Sequence, residues 1–321
     1  MTRILVLGGT GWLSGKIAAQ WRDRGAEVTC LARGGRPAPT GTLLVHGDRD
    51  DPGAYEGVRR GEWDEVVDVS SRATHVRAAI TALGDRAMRW TYVSSMSVYS
   101  DDATANLDES GELYDPAVEG AEYDYGAEKV AAEHAVRALD GRHLIVRPGL
   151  IVGAGDPSDR FGYWAAAFAR AGGRAVLAPE TDGRSVQVID VDDLAGFLTS
   201  AARWGIINAI GNAHPLDDVL GRIRSASGHT GDLIHVPDPW LAQRGVHHWA
   251  GERSLPLWLP ADMPGFMTRS NTAYRAAGGT LRSLDQTVAA VLADERERGL
   301  DRQRRAGLTR AEEQDLLDAL R

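Results

Sequence analysis

The sequence predicts an α/β fold built on a doubly wound parallel sheet, with a smaller, mostly helical lobe toward the C-terminus. In the first half of the chain, short β-rich runs alternate with stretches that have the apolar spacing of amphipathic helices. A glycine-rich turn, GGTGWLSG, directly follows the first β-rich run. This alternation predicts helices on both faces of a parallel sheet, with ligands bound at the carboxyl ends of its strands.

The elements can be assigned in order along the chain. Strands are predicted at residues 3–7, 27–31, 43–46, 65–69, 90–94 and 143–147, and crossover helices at 14–24, 73–83 and 126–139. Beyond Pro148 this rhythm fades, and it returns once, at VQVIDVDDLAGFLTSAA. We therefore predict a sheet domain of residues 1–155 plus about 186–210, and a second lobe of about 156–185 plus 211–321. The charged run ERERGLDRQRR is expected to form the solvated face of a terminal helix.

The composition is that of an ordinary globular protein. Hydrophobic residues make up 43% and charged residues 25% of the 321 residues, and a net charge of −9 disfavours a nucleic acid partner. The apolar run in MTRILVLGGTGW is too short for a membrane span or a signal peptide, so no membrane partner is expected. The single cysteine, Cys30, and the absence of zinc-type Cys/His spacing fit a reducing cytoplasm and predict no metal site. The adjacent His247 and His248 are expected at a surface or interface.

The glycine-rich turn is the first candidate binding site. Gly8 and Gly11 lie between a predicted strand and a predicted helix, where missing side chains let backbone N–H groups approach a pyrophosphate. An ordinary tight turn is the alternative, but a second strand follows at the distance of a βαβ unit. The turn therefore predicts a dinucleotide site whose contacts also include Thr10, Trp12 and Leu13. For Trp12, packing beneath the turn is the alternative.

The end of the second predicted strand bears on which dinucleotide fits. An acidic residue there would accept the 2′-hydroxyl of NAD, whereas arginine pairs with the 2′-phosphate of NADP. In CLARGGR, Ala32 occupies the acidic position, and Arg33 and Arg36 follow it. NADP is therefore favoured, with NAD possible, unless these arginines are solvent-facing loop residues. Asp48, after the third strand, is a candidate for holding the adenine amino group. The predicted cofactor contacts are completed by Arg49, Val69 and Ser70.

A tyrosine and a lysine supply candidate catalytic groups. Tyr125 and Lys129 are spaced i and i+4, which puts the phenol and the ammonium on one helix face. A neighbouring ammonium stabilises a phenolate, so the pair can exchange a proton with an alcohol or a carbonyl. Ser95, at the end of the fifth predicted strand, lies on the same edge of the sheet and could orient the reacting oxygen. Taken alone, such a Tyr–Lys pair is more often a surface feature.

These motifs together resemble the extended short-chain dehydrogenase/reductase family, which includes nucleotide-sugar epimerases and dehydratases. The resemblance rests on the glycine turn, SSMSVY, the Tyr-x-x-x-Lys pair and the Arg-Pro-Gly strand end, and it covers roughly residues 1–210. It implies a Rossmann fold, Tyr125 as acid/base, Lys129 at the nicotinamide ribose, Ser95 at the substrate and Pro148 beside the nicotinamide. Over its whole length the chain is similar to actinobacterial proteins labelled as NAD-dependent epimerases or reductases.

Three positions depart from the family pattern. Ser14 stands where a third glycine is expected, and a residue this small is expected to be tolerated. Met96 and Ser97 follow Ser95 where sugar 4,6-dehydratases carry Asp-Glu, which disfavours elimination chemistry. Val186 stands where epimerases place an arginine for the diphosphate, with Arg184 two positions away, which disfavours a nucleotide sugar.

Candidate substrate contacts lie mainly in the segments that follow the strands. They are Ser71, Arg72, Ser97, Asp159, Arg160, Phe161, Trp164 and Arg184. For the two aromatic residues, packing in the core is the alternative. For Arg160 and Arg184, the choice is between binding an anionic group and facing water.

Three functions are compatible with these features. The first is an NADPH-dependent reductase in which Tyr125 protonates a carbonyl oxygen of a small molecule. The second is a sugar epimerase that retains its cofactor, and the third is a non-catalytic dinucleotide sensor, against which the intact Tyr–Lys pair argues. A homodimer is possible through the outer face of the Tyr–Lys helix, where Ala131, Ala135 and Ala138 would permit close packing.

Overall fold

The computed structural model describes residues 1–200 and 203–320, which form fourteen strands and ten α-helices. The strands are β1 (Arg3–Leu7), β2 (Glu27–Ala32), β3 (Leu43–His46), β4 (Glu65–Asp68), β5 (Trp90–Val93), β6 (His143–Pro148), β7 (Leu150–Val152), β8 (Val176–Pro179), β9 (Ser185–Asp190), β10 (Gly205–Ala209), β11 (Ala213–Pro215), β12 (Leu233–Val236), β13 (His247–Trp249) and β14 (Ser254–Pro256). The helices are α1 (Trp12–Asp23), α2 (Ala73–Leu83), α3 (Tyr125–Arg137), α4 (Arg160–Ala171), α5 (Val191–Leu198), α6 (Leu216–Ser227), α7 (Asp238–Gln243), α8 (Thr272–Ala276), α9 (Leu284–Arg298) and α10 (Arg310–Asp318).

Seven strands form the central parallel sheet in the order β10-β6-β5-β4-β1-β2-β3. The strands read as continuous hydrophobic runs because both faces of the sheet are covered. In β1, Ile4 and Val6 pack in one core with α1 and α5, while Leu5 and Leu7 pack in the opposite core with α2 and α3. The doubly wound, Rossmann-type sheet predicted from the sequence is confirmed.

A second lobe packs against the carboxyl end of this sheet. It contains the three-stranded sheet β11-β9-β7, the pairs β12-β8 and β13-β14, and most of the later helices. Its core is centred on large buried side chains, including Trp164, Phe168 and Trp258. Of the segment predicted to rejoin the sheet domain, β10 does join the central sheet, whereas β9 pairs with β7 and β11. The division into two lobes at the predicted residues remains a prediction.

The charged run near the C-terminus forms the predicted solvated helix face only in part: residues 296–298 are exposed on the last turn of α9, whereas the rest of the run is buried or lies beyond the helix. Helix α9 ends at Arg298, and the chain then turns back over it. Arg302 and Arg304 reach the carboxylate of Glu295, at 2.7 and 2.6 Å, and that carboxylate is almost fully buried. Charge pattern alone cannot reveal such a return of the chain, because the ion pairs join residues on both sides of a turn.

The small-residue face of α3 is also not free for a partner. Ala131 is buried in the core shared with α2, and Ala135 packs at its edge, while Ala138 is exposed. The expected small outer face is therefore largely an inner face.

No helix in the described part of the chain combines the length and the apolar composition needed to cross a bilayer. Across residues 1–200 and 203–320, no three His, Cys, Asp or Glu side chains form a cluster that could hold a metal ion.

Candidate active site

The glycine turn after β1 is built so tightly that side chains are excluded from it. Gly8 has a φ of +82° and donates its N–H to the Leu31 carbonyl at 2.8 Å, which ties the turn to β2. A Cβ on Gly9 would lie 2.5 Å from the sulfur of Cys30. Gly9 is therefore a requirement that the sequence analysis missed, and it also explains the buried thiol beneath the turn.

Ser14 braces the turn from the first turn of α1. Its hydroxyl donates to the Gly8 carbonyl at 2.5 Å and accepts the Gly11 N–H at 3.1 Å. The residue is buried, and a Cβ on Gly11 would approach its oxygen to 2.7 Å. The serine at the third glycine position thus fits the tight packing and adds hydrogen bonds that glycine could not make.

Helix α1 begins at Trp12, directly after the turn. Its first N–H groups have no partner within the helix, and with the helix dipole they form a cradle suited to a pyrophosphate. The indole N–H of Trp12 donates to the Ala154 carbonyl at 2.9 Å. Trp12 therefore does not pack beneath the turn, as the alternative expected, but links it to the segment that follows β7.

A cavity of about 600 Å³ opens at the carboxyl ends of β1–β4, and we call it the β2 cavity. Its wall brings together eight residues predicted to contact the cofactor: Gly8, Thr10, Arg33, Arg36, Asp48, Arg49, Val69 and Ser70. Ala32 also lines it, so the last residue of β2 presents no carboxylate there. The pKa of Asp50 is lowered mainly by a hydrogen bond with His75. Arg33 is near enough for its charge to add to this lowering.

Arg49 lines the same cavity, but most of its guanidinium is already engaged. It forms a two-pronged ion pair with Asp68, with both N–O distances 2.8 Å, and donates to the Tyr55 hydroxyl and the His75 carbonyl. Asp68 is fully buried. Arg49 therefore balances the buried charge of Asp68 while it lines the cavity. Its contact with a cofactor remains a prediction.

A second cavity, of about 510 Å³, lies on the other side of Val69, and we call it the Tyr125 cavity. The structure brings the three predicted catalytic residues, Ser95, Tyr125 and Lys129, together in its wall. Other predicted residues in this wall are Gly11, Trp12, Leu13, Val69, Ser97, Pro148 and Arg160. Val69 lines both cavities, so one elongated ligand could extend from the first into the second.

Tyr125 is the first residue of α3, and Asp124 caps that helix by accepting the Ala127 N–H at 2.7 Å. Tyr125 is 42% exposed and forms part of the wall of the Tyr125 cavity. Burial of the phenol raises its pKa, while a hydrogen bond with Ser95 and the charge of Arg160 oppose this rise. Arg160 is thus a cation that acts to lower the pKa of the Tyr125 phenol against the effect of burial, and it was not predicted to do so.

Lys129 lies one turn further along α3 and is almost fully buried. Its ammonium donates to the Ser70 carbonyl at 2.8 Å and to the Val93 carbonyl at 2.7 Å, and its nitrogen lies 5.9 Å from the centre of the Tyr125 ring. Burial lowers the pKa of Lys129 to about 7, although Asp68 and Glu133 oppose this. The lysine thus connects α3 to the ends of β4 and β5 and places a titratable group beside the phenol.

A buried polar network holds these elements in register. Glu133, on α3, pairs with Arg147, on β6, through N–O distances of 2.8 and 2.7 Å, and it accepts the Ser94 hydroxyl at 2.6 Å. Burial alone would raise the pKa of Glu133, but the Arg147 guanidinium holds it below the ordinary value. Because Ser94 precedes Ser95, and Arg147 precedes Pro148, this network supports three sides of the Tyr125 cavity.

Several predicted substrate residues lie elsewhere, and these predictions are corrected. Phe161 and Trp164 are buried in the core of the second lobe, where the Trp164 indole donates to the Pro256 carbonyl at 2.7 Å. Arg184 pairs with Asp238 and donates to the carbonyls of Leu259 and Glu180. A helix or strand position does not reveal which face the second lobe covers, so these side chains could not be placed from sequence.

Three further predicted substrate residues also have other surroundings. Asp159 begins the approach to α4 and accepts from Arg302 and from the backbone of Arg305, which makes it part of the C-terminal ion network. Arg72 lines the β2 cavity rather than the Tyr125 cavity. Ser71 is absent from the walls of both cavities.

The outer wall of the Tyr125 cavity was not predicted from the sequence. This wall consists of Met96, Gly149, Leu150, Ile151, Asp156, Pro157, Ser158, Gln187, Trp249, Phe266 and Met267. Trp249 and Phe266 pack edge to face, with ring centres 5.5 Å apart. Trp249, Phe266 and Met267 come from segments about 100 residues or more after Pro148 and carry no local pattern. The one available signal was the polar DPSDR stretch, of which only Asp159 and Arg160 were singled out.

The two joined cavities fit a dinucleotide. The side-chain-free turn at Gly8 and Gly9 and the start of α1 would hold a pyrophosphate, and the β2 cavity would hold the adenosine half. The Tyr125 cavity, with Pro148 and Lys129 in its wall, would receive the nicotinamide half and the substrate. Fold and site together define an enzyme of the extended short-chain dehydrogenase/reductase type that uses NAD or NADP.

The chain belongs to the NAD dependent epimerase/dehydratase family, whose model matches residues 4–209. A curated relative, the ceramide reductase of Caulobacter vibrioides, is 29% identical in an alignment 190 residues long that covers 48% of this chain and 58% of that protein. This chain therefore matches little more than half the length of that relative. The human epimerase family protein SDR39U1 is 25% identical over 79% of this chain and 92% of its own length.

Solved structures show the same fold. The Bordetella bronchiseptica enzyme WbmG, in complex with NAD and UDP, superposes with a TM-score of 0.69 at 15% identity, covering 93% of this chain and 96% of that enzyme. At this identity the likeness concerns the fold.

Proposed function

We propose that the protein is an NADP(H)-dependent oxidoreductase that reduces a carbonyl group of a small molecule or oxidises the corresponding alcohol. The observation that carries this proposal is the convergence of Ser95, Tyr125 and Lys129 on one cavity that adjoins the arginine-flanked β2 cavity. The name of the Caulobacter relative, a ceramide reductase, supports the direction of reduction. The same convergence argues against a non-catalytic sensor, which would not need an acid/base beside a substrate cavity.

Each residue of the set has a distinct chemical task. When bound, the nicotinamide supplies or accepts a hydride. Ser95 lies close enough to the phenol to oppose the rise in its pKa that burial causes and would orient the substrate oxygen, and Tyr125 gives that oxygen a proton or removes one. Lys129, held by the Ser70 and Val93 carbonyls, would bind the nicotinamide ribose and stabilise the phenolate when it carries a charge.

The preference for NADP rests on charge at the end of β2. Arg33 and Arg36 line the cavity, and the final residue of the strand is Ala32. An arginine pairs well with a phosphate dianion because its planar guanidinium can donate two parallel hydrogen bonds. Aspartates also lie in this wall, but Asp50 is already paired with His75 at 2.8 Å.

Substitution of Arg33 tests the proposal. Arg33→Ala is expected to raise the Kd for NADPH about 10- to 100-fold and to leave the Kd for NADH within about threefold, since only NADPH carries the 2′-phosphate. Fluorescence titration with both nucleotides measures this. Arg77→Ala, at an exposed position on α2 outside the cavity, is the matched control. Equal weakening of both nucleotides, or tighter binding of NADH by the unaltered protein, would contradict the NADP assignment.

A sugar epimerase is the second candidate, favoured by the family and by the UDP complex of WbmG. The arginine nearest the expected diphosphate position, Arg184, is held by Asp238, and Val186 is fully buried. An epimerase returns the hydride within one turnover and keeps its cofactor, whereas a reductase exchanges it. Denaturing the purified protein and identifying the released nucleotide separates the two: stoichiometric NAD that resists dialysis would favour the epimerase.

A further inference from the structure

Arg160 presents an available guanidinium to the Tyr125 cavity. It is the first residue of α4, its guanidinium carbon lies 4.8 Å above the centre of the Trp249 ring, and its Nε donates to the Ser158 hydroxyl at 3.3 Å. Its two terminal nitrogens have no hydrogen-bond partner, and no carboxylate lies within 4 Å of them, in the part of the chain that the structure describes. The Trp249 ring and Ser158 therefore hold this cation in the wall of the Tyr125 cavity, with its outer nitrogens unpaired among the described residues.

The groups around Arg160 limit the negative charge of a ligand that could bind to it. Asp156 is buried close by, and its carboxylate accepts the Ser158 N–H at 2.8 Å and the Ser158 hydroxyl at 2.9 Å. The other cation in the wall, Lys129, is engaged by two carbonyls. Arg160 can balance a single negative charge, and burial raises the pKa of Asp156, which favours the neutral form of that neighbouring acid. A dianion such as a phosphate would need a second free cation in this wall to balance it.

Beside Arg160 the wall also carries an apolar surface. Trp249 and Phe266 pack edge to face, and Met267 and Leu150 complete the surface. Large flat side chains of this kind bind an aromatic or branched hydrocarbon group and exclude water from it. The cavity thus joins an apolar surface, a monoanion site and the Tyr125 phenol.

We propose that the substrate is an oxo acid: a carbonyl compound that also carries a carboxylate, bound by Arg160, and an apolar body, packed on Trp249 and Phe266. This inference rests on the proposed reductase function and adds a substrate class to it. In the reaction the carbonyl carbon gains a hydride from NADPH, which becomes NADP⁺, and the carbonyl oxygen gains a proton from Tyr125. The product is the hydroxy acid.

The test compares acids with their neutral esters. Phenylpyruvate and benzoylpropionate, each with its methyl ester, are assayed with NADPH, and kcat/KM is measured for the unaltered protein, Arg160→Gln, Arg160→Lys and the surface control Arg77→Gln. We expect the acid of at least one pair to be preferred. In Arg160→Gln the acid-to-ester ratio should fall about 10- to 100-fold, in Arg160→Lys by less, and in Arg77→Gln it should stay the same. The ratio cancels any effect of Arg160 on Tyr125 itself.

A binding measurement separates this inference from the proposed function. Calorimetric titration of the NADP⁺-loaded protein with the same acids and esters reports recognition without turnover. If the protein binds an acid more tightly than its ester, if Arg160→Gln abolishes this preference, and if no compound is reduced, the reductase function is contradicted and the carboxylate site is supported. Esters bound or reduced as well as the acids, or a ratio unchanged in Arg160→Gln, would overturn the oxo acid and leave the reductase standing.

Discussion

Replacement of Tyr125 by phenylalanine is expected to lower kcat by about 10²- to 10⁴-fold, the usual contribution of a positioned general acid or base. The substitution removes only the hydroxyl, to which the proposed function gives the proton transfer, and keeps the ring in the cavity wall. Substrate and cofactor contacts elsewhere in the wall are retained, so KM should change much less than kcat. Steady-state oxidation of NADPH with the preferred carbonyl substrate measures both constants.

The chain offers a matched control two residues away. Tyr123 is 52% exposed and precedes the start of α3, so Tyr123→Phe removes the same atom from outside the cavity wall. Its kcat should stay within about twofold of the unaltered protein. If Tyr125→Phe kept full turnover, proton transfer would have to be assigned to another group, and the oxidoreductase mechanism given above would be wrong.

Replacement of Arg147 by methionine is expected to lower the free energy of unfolding by about 3–5 kcal/mol, since it removes the buried cation of its ion pair with Glu133. The buried Glu133 carboxylate then keeps, among the described residues, only Ser94 and the partly exposed Arg137 as partners. Both side chains of the Arg147–Glu133 pair are almost fully buried. The Arg147 guanidinium also donates to the Tyr99 hydroxyl at 2.8 Å, so its loss leaves a second buried polar group less satisfied. Urea denaturation followed by tryptophan fluorescence measures the change.

Glu133 supplies its own control through a second arginine. Arg137, one turn along α3, lies 2.9 Å from the same carboxylate, but its side chain is 37% exposed. Arg137→Met should therefore cost less than about 1 kcal/mol, as exposed ion pairs do. Equal losses in the two variants would mean that burial does not decide the strength of this network, contrary to the argument above.

The elements that local pattern controls were predicted well. Strands β1–β6 and the helices α1–α3 between them follow from hydrophobic runs and helical periodicity, because both faces of a parallel sheet must be covered by nearby segments. The Tyr125–Lys129 spacing, likewise, needs only one helix to place both groups in the same cavity. The NADP preference and the catalytic roles remain predictions of the same sequence pattern.

Contacts between distant segments were beyond the reach of the pattern. Trp164 was predicted to contact substrate, but its indole N–H donates to the carbonyl of Pro256, 92 positions away. Arg160, only four residues earlier, faces the cavity because Trp249 lies under its guanidinium. The buried position of Glu295 depends in the same way on arginines beyond the turn that ends α9.

The sequence by itself therefore determined the sheet, the glycine turn and the Ser–Tyr–Lys set, since each depends on periodicity or spacing within a βαβ unit. The tertiary structure decided which arginine reaches the Tyr125 cavity, which aromatic residues form its wall and which charges are buried. The physical reason is that a side chain's environment is set by whichever segment packs against it, and in the second lobe that segment can lie more than 140 residues away, as between Arg302 and Asp159.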